Sequence, residues 1–142
     1  MIITSPDPYI GQLQLIDIKS HEWPWYEEGW RTIREYNWRL WVESDVVIGF
    51  SCFKVIRGQA ISELQLAKLC VRPRYREHGI GARLMDDLVS VCNKNGITMI
   101  STIVHEECKY LTWMKKHGFQ AVNLIKELFP DTRDGIVMRR ML

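Results

Sequence analysis

Residues 69–84 of the chain are Leu-Cys-Val-Arg-Pro-Arg-Tyr-Arg-Glu-His-Gly-Ile-Gly-Ala-Arg-Leu. An apolar strand is predicted to end at Val71, an arginine-rich loop follows, and Gly79 and Gly81 flank the first turn of a predicted helix. The first turn of a helix leaves backbone N–H groups unpaired at the positive end of the helix dipole. Glycines at that point remove Cβ atoms, so that a phosphate can reach these donors. The segment therefore predicts a cradle for a pyrophosphate group.

Arginines of the same segment would add positive charge and bidentate phosphate contacts to the cradle: Arg72, Arg74, Arg76 and Arg83. The alternative is an ordinary glycine-containing loop with solvated arginines. The coincidence of strand, loop, arginines and amphipathic helix favours the cradle. A Walker loop is excluded, because no Gly-Lys-Ser/Thr follows the glycines. The dinucleotide-binding pattern Gly-x-Gly-x-x-Gly is excluded, because Leu84 stands where its third glycine would be.

Beyond the cradle, the chain alternates between helix and strand. The apolar residues Ile80, Leu84 and Leu88 recur at helical spacing, and Asn95-Gly96 predicts the end of that helix. Further along we predict a strand over residues 97–104, a helix over 106–117, a strand over 119–125 and a last strand over 136–141.

Before the cradle, strands dominate the pattern. Residues 12–18 alternate loosely and predict a first strand, whereas Tyr26, Trp30 and Ile33 recur at the spacing of a helix. Strands are also predicted over residues 38–42, 46–56 and 60–71, with turns between them. Antiparallel strands followed by strand–helix–strand units predict a mixed α/β sheet in one layer with helices on its faces.

Composition bounds the class of protein. The chain has 142 residues, 46% hydrophobic and 25% charged, so we expect one globular domain over residues 1–142 and exclude disorder. The net charge is only +2, so nothing in the charge balance favours nucleic acid as a partner. The four cysteines form no Cys-x-x-Cys pair, which predicts free thiols in a reducing compartment and no metal site. With no signal peptide and no long apolar run, we expect a soluble cytoplasmic protein without a membrane partner.

The strand and loop before the predicted helix match a known signature. Val71, Pro73, Tyr75 and the run Arg-Glu-His-Gly-Ile-Gly at residues 76–81 resemble the GNAT superfamily of acetyl-CoA-dependent N-acetyltransferases. The likeness runs over residues 60–119 and includes the helix-to-strand junction at Gly118-Phe119. Weaker similarity at residues 20–25 and 129–138 is to bacterial enzymes that acetylate protein N-termini, notably that of a ribosomal protein.

The resemblance implies a GNAT-like fold, with a central, mostly antiparallel, twisted sheet flanked by helices and strands splayed at the coenzyme A site. It implies acetyl-CoA as co-substrate, an amine acceptor that is possibly a protein, and no metal. Backbone groups at the end of the strand would pair with pantetheine, and N–H groups of the loop would hold the pyrophosphate. The cofactor-binding residues implied are Leu69, Cys70, Val71, Arg76, Glu77, His78, Gly79, Ile80, Gly81 and Ala82.

The catalytic residues depart from the family pattern. The strand over residues 100–104 has no carboxylate, and Met114 stands where the family often has a tyrosine that protonates the thiolate. We therefore expect Glu63 to be the base and Tyr110, one helical turn before Met114, to be the acid. His78 and His105 are weaker candidates, each expected at the surface or beside phosphate. The alternatives for Glu63 and Tyr110 are a solvated strand end and a packing role.

The tryptophan-rich segment predicts both core and acceptor contacts. Trp30 and Trp38 are expected in the core, and Trp23 and Trp25 in the acceptor site. Together these expectations describe an N-acetyltransferase that moves acetyl directly from acetyl-CoA to a protein N-terminus, a lysine or a small amine. The alternative is a GNAT-shaped protein that binds coenzyme A or a partner and has lost catalysis.

Overall fold

The computed structural model describes residues 1–20, 25 and 27–142. Its helices, in chain order, are α1 Ile10–Ser20, α2 Glu27–Arg31, α3 Ile80–Lys94 and α4 Leu111–Lys116. Its strands are β1 Ile2–Ile3, β2 Asn37–Glu43, β3 Val46–Arg57, β4 Ser62–Val71, β5 Met99–His105, β6 Gln120–Ile125 and β7 Gly135–Met141. Trp23 and Tyr26, which the sequence singled out, lie outside the described residues.

The strands form one sheet in the order β1-β2-β3-β4-β5-β7-β6. Antiparallel pairs join β1 to β2, β2 to β3, β5 to β7 and β7 to β6. The pair β4 and β5 is parallel over residues 63–65 and 99–101. The predicted class, a mixed α/β protein with a mostly antiparallel sheet flanked by helices, is confirmed.

The described residues divide into two compact units, of which the first comprises Met1–Lys54 and Ala67–Leu88. Its core joins α1 to the inner faces of β2, β3 and β4. Buried there are Leu13, Ile16, Trp30, Ile33, Trp38, Leu40, Val42, Val47, Phe50, Cys52 and Cys70. The prediction that Trp30 and Trp38 belong to the core is confirmed, and their rings stack 6.0 Å apart.

The expected strand over residues 12–18 is wrong, because this stretch belongs to helix α1. The buried residues are Leu13, Ile16, Asp17 and Ser20, which recur at intervals of three and four, whereas Leu15 and Ile18 are exposed. Apolar residues on both sides of the helix imitated strand alternation in the sequence.

The second unit comprises Val55–Leu66 and Val89–Leu142. Its strands β5, β7 and β6 form an antiparallel set, and α3 ends before Gly96, which has a φ of +67°. The left-handed conformation of Gly96 is the expected helix end.

The predicted helix over residues 106–117 is too long, since α4 begins only at Leu111. The backbone N–H of Glu107 donates to Nδ1 of His105 at 3.1 Å, and that of Glu106 donates to the carbonyl of Asp134 at 3.0 Å. The N–H groups of Cys108 and Leu111 donate to the carbonyls three residues before them, at 2.8 Å and 3.2 Å, which is the bonding of turns and not of an α-helix.

Candidate functional site

The loop between β4 and α3 turns sharply before the helix. A 3-10 turn at Pro73–Tyr75 follows β4, and Glu77 and Gly79 then take positive φ values of 65° and 76°. The first intrahelical bond runs from the N–H of Arg83 to the carbonyl of Gly79 at 3.1 Å. The preceding N–H groups of the first turn therefore have no acceptor within α3 and remain suited to an anion.

Two of the cradle arginines make hydrogen bonds within the protein. Arg76 donates from Nε to the carbonyl of Val71 at 3.0 Å and from Nη2 to Oγ of Ser20 at 2.9 Å. Arg72 donates from Nε to the carbonyl of Val47 at 2.7 Å and from Nη2 to Oε1 of Gln12 at 2.7 Å. The expectation that all four arginines are available to phosphate is therefore wrong for Arg72. Arg76 lies at the loop, as expected, and is tied to the end of α1.

The other two arginines are exposed. Arg74 has its guanidinium 5.5 Å from the ring centre of Tyr75, and that of Arg83 lies 5.7 Å from the ring centre of Trp41. His78 is also exposed, in the bend before the helix. The loop thus combines backbone donors with accessible positive charge from Arg74 and Arg83.

Alternate residues at the end of β4 differ in burial. Cys70 is buried, whereas Leu69 and Val71 are half-buried. Burial raises the pKa of the Cys70 thiol to about 12. A thiol with such a pKa is almost fully protonated at neutral pH, so Cys70 is no nucleophile.

Glu63 has a fixed carboxylate. It lies in β4 opposite Met99 of β5, and its Oε2 accepts a hydrogen bond from the hydroxyl of Ser101 at 2.7 Å. Nε2 of Gln65 lies 3.4 Å from the other carboxylate oxygen. Glu63 is half-buried, so it is not a freely solvated strand end. The site residues predicted from the sequence do not include Ser101, although a polar residue in the middle of an apolar strand is a signal for such a role.

Tyr110 lies at the start of α4 and not within a longer helix. Its carbonyl accepts a hydrogen bond from the N–H of Met114 at 2.9 Å, so the two residues are one turn apart as predicted. Tyr110 is half-buried, and the ammonium of Lys109 lies 5.2 Å from its ring centre. Met114 is buried.

His105 is buried at the end of β5, contrary to the expected surface position. Its Nε2 lies 2.9 Å from Oδ2 of Asp131, and its ring packs 4.8 Å from that of Phe129. Partial burial opposes ionisation of Asp131, but hydrogen bonds from the N–H of Arg133 and from His105 outweigh it and lower the Asp131 pKa. The pair links β5 to the loop before β7.

Trp25 is half-buried and held in place by a buried ion pair. Nζ of Lys68 lies 2.8 Å from Oδ1 of Asp17, whose Oδ2 accepts the backbone N–H of Trp25 at 2.9 Å. The Lys68 ammonium also lies 4.7 Å from the ring centre of Trp25. The sequence contained a signal for this pair, because Lys68 alternates with the apolar residues Leu66 and Cys70 and therefore points inward.

The fold and the β4–α3 loop are those of the GNAT class of proteins. The model of the acetyltransferase (GNAT) family matches residues 10–119, and the chain belongs to this family. This confirms the resemblance carried by the loop. Among curated proteins, no sequence matches the chain.

Solved structures with the same fold cover nearly the whole chain. The ribosomal-protein-S18-alanine N-acetyltransferase from Escherichia coli has a TM-score of 0.85 at 19% identity, covering 99% of this chain and 92% of its own. Naa50 from Arabidopsis thaliana, in complex with the bisubstrate analogue CoA-Ac-MVNAL, has a TM-score of 0.83 at 18% identity, covering 100% and 98%. A GNAT family acetyltransferase from Elizabethkingia anophelis with acetyl-CoA bound has a TM-score of 0.77 at 17% identity, covering 100% and 97%. These likenesses establish the fold.

Residues 1–20, 25 and 27–142 contain no group of three or more His, Cys, Asp or Glu side chains arranged to hold a metal ion. In the same part of the chain, no helix has the length and apolar character needed to cross a membrane.

Proposed function

We propose that the protein transfers an acetyl group from acetyl-CoA directly to a primary amine. The observation that carries this proposal is the half-buried carboxylate of Glu63, held by the hydroxyl of Ser101 at 2.7 Å. An acceptor amine is mostly an ammonium ion at neutral pH and must lose a proton before it attacks a thioester. A positioned carboxylate is suited to accept that proton, and membership of an acetyltransferase family supports acetyl-CoA as the donor.

Acetyl-CoA would bind along the end of β4 and at the start of α3. The left-handed backbone at Glu77 and Gly79, together with the N–H groups of the first turn of α3, supports binding of the pyrophosphate. The pairing of β4 with β5 covers residues 63–65 and 99–101, ahead of Leu69 and Val71, which supports binding of pantetheine there as an added strand. The residues proposed for the cofactor are Leu69, Cys70, Val71, Arg76, Glu77, His78, Gly79, Ile80, Gly81 and Ala82.

The reaction would run through a tetrahedral intermediate. Glu63 accepts a proton from the acceptor, and the amine nitrogen forms a bond to the thioester carbonyl carbon. The C–S bond then breaks as the carbonyl re-forms, and the departing thiolate takes a proton from the hydroxyl of Tyr110. The second proton of the amine nitrogen leaves to solvent, from which Tyr110 recovers its proton. No acyl-enzyme is needed, and the raised pKa of the Cys70 thiol argues against one.

The acceptor proposed is the N-terminus of a protein. Support comes from two proteins of the same fold, one described as a ribosomal-protein-S18-alanine N-acetyltransferase and one bound to an analogue that joins coenzyme A to a peptide. Trp23 and Trp25 are proposed to contact this acceptor. The half-buried position of Trp25 supports a share in such contacts while Asp17 holds its backbone.

The chain is proposed to act as one acetyltransferase domain in the cytoplasm. The family match over residues 10–119 and the near-complete coverage of the neighbours support one domain. Cys52 and Cys92 are buried free thiols, which supports a reducing compartment.

A second candidate function is binding of coenzyme A without transfer. Met114 favours it, because a thioether donates no proton and this buried residue stands at the family's tyrosine position.

The test is mass spectrometry of peptides incubated with acetyl-CoA, combined with calorimetry of coenzyme A binding. The wild-type protein should acetylate at least one peptide N-terminus. Glu63→Gln should bind coenzyme A normally and lose about a hundredfold to ten-thousandfold in rate, the usual effect of losing a general base. Glu35→Gln, which changes another carboxylate, should retain the full rate. Coenzyme A binding without transfer to any amine would establish the second candidate instead.

A further inference from the structure

Arg139 lies one strand away from the hydroxyl that holds Glu63. In the pairing of β5 with β7, Arg139 is directly opposite Ser101. Directly paired residues point to the same side of a sheet, with Cβ atoms roughly 4.5–5.5 Å apart. Because the side chain of Ser101 bonds Glu63, Arg139 extends from the side of the sheet that carries the proposed base.

The paired row that contains Arg139 is polar on every strand that it crosses. Its members, from β4 to β6, are Gln65, Ser101, Arg139 and Gln120. The next row on the same face of the sheet, toward the end of β5, pairs Ile103 with Val137. The polar row therefore marks one position along the strands, beside Glu63.

Arg139 has no counter-charge among the residues that the structure describes. The residue is exposed, and within residues 1–20, 25 and 27–142 its guanidinium makes no hydrogen bond or ion pair. Its neighbour Arg140 points to the other side of the sheet, where its Nε lies 3.5 Å from the position a Cβ of Gly118 would take. Arg139 is thus a cation available to a ligand that approaches Glu63.

We propose that Arg139 binds a carboxylate that the acceptor carries close to its reacting amine. This proposal rests on the proposed function, since Glu63 defines where the amine must come. Glu63 and Arg139 lie on β4 and β7, with β5 between them, so about two strand spacings, or roughly 10 Å, separate their backbones. A guanidinium at that position repels an acceptor with a second positive charge and attracts one with a carboxylate. Both side chains are long, so together they can span an amine and a carboxylate in the same or adjacent residues. The carboxylate comes either from a free amino acid or from an acidic side chain next to a peptide N-terminus.

The test measures binding of acceptors to the protein in the presence of coenzyme A, so no turnover is required. Its probes are the amides of Ala-Asp-Gly-Gly and Ala-Asn-Gly-Gly, which differ in one charge, and glycine against glycinamide. The wild-type protein should bind the carboxylate-bearing member of one pair about fivefold tighter, as expected for an accessible ion pair. The pair that shows the difference identifies the source of the carboxylate.

Variants of the two adjacent arginines separate recognition from general charge. Arg139→Gln should abolish the preference, Arg139→Lys should keep part of it, and Arg139→Glu should invert it. Arg140→Gln, with the same loss of charge on the other side of the sheet, should leave the preference intact. If Arg139→Gln lowers the affinity for both acceptors of a pair by the same factor, the proposal is overturned. Arg139 would then act only through the general electrostatic field of the protein.

Failure of this proposal is distinct from failure of the proposed function. A wild-type protein that transfers acetyl but binds both members of each pair equally would overturn the role of Arg139 alone. A protein that prefers the carboxylate through Arg139 but transfers no acetyl would support the anion site and refute the transfer reaction.

Discussion

The ion pair between Lys68 and Asp17 offers the sharpest test of the structure. Both side chains are almost completely buried, at 5% and 1% exposure, and their charged atoms lie 2.8 Å apart. Replacing Lys68 by Met keeps most of the volume of the side chain and removes the charge. Asp17 would then retain the N–H of Trp25 but lose its counter-charge in the core.

The size of the effect follows from burial. Breaking a buried pair by removing one partner costs about 3–5 kcal/mol, because the remaining charge stays in the core without the ion that faced it. For a protein of this size, 1 kcal/mol lowers the melting temperature by roughly 3 °C, so Lys68→Met should lower it by about 9–15 °C. Asp17→Asn combined with Lys68→Met should recover most of this loss, since no charge is left buried.

Thermal and urea unfolding would measure these differences. Lys54→Met is the matched control, because Lys54 makes an exposed pair with Glu35 at 3.8 Å, with side-chain exposures of 40% and 63%. An exposed pair contributes about 1 kcal/mol or less, so this variant should melt within a few degrees of the wild type. Equal losses in Lys68→Met and Lys54→Met would refute the buried pair, as would a double variant no more stable than Lys68→Met.

Three further predictions concern the site. Gly81→Asp should abolish coenzyme A binding, measured by calorimetry, without unfolding the protein, because it adds bulk and negative charge in the first turn of α3. Unchanged affinity for coenzyme A would remove the argument for the cradle. Tyr110→Phe should lower the transfer rate while coenzyme A affinity and melting temperature stay nearly constant, and a joint loss of rate and stability would indicate packing instead. Thiol alkylation at pH 8 should label the half-buried Cys108 well before Cys70, because burial raises the pKa of the Cys70 thiol to about 12 and leaves little thiolate. Rapid labelling of Cys70 in the folded protein would contradict its burial.

Strongly periodic segments were predictable from the sequence. The stripe of apolar residues after the cradle and the Asn95-Gly96 end together predicted α3, which the structure has at Ile80–Lys94. Alternation in the strands before it predicted β2 and β3, and the turn at Ser44-Asp45 takes the positive φ values of 48° and 62° that such a tight turn requires.

Elements whose local pattern was weak or overridden were mispredicted. In α1 the exposed residues Leu15 and Ile18 obscured the helical period. Before α4, the N–H groups of Cys108 and Leu111 bond the carbonyls three residues before them, as in turns, and nothing in the local sequence announces this change. Likewise, Arg72 was expected to face phosphate, but its guanidinium binds Gln12, which is 60 residues away in sequence.

Residues 69–84 assign the family and predict the cradle, because recognition of phosphate by a loop and a helix start depends on residues that are neighbours in the chain. The side chains around the proposed base come from strands that are distant in sequence. Ser101 meets Glu63 across 38 residues, Lys68 meets Asp17 across 51, and Arg139 meets Ser101 through the register of β5 and β7. The local pattern marks Lys68 and Ser101 as polar residues within apolar strands, but their partners depend on strand order and register, which arise from packing of the whole sheet.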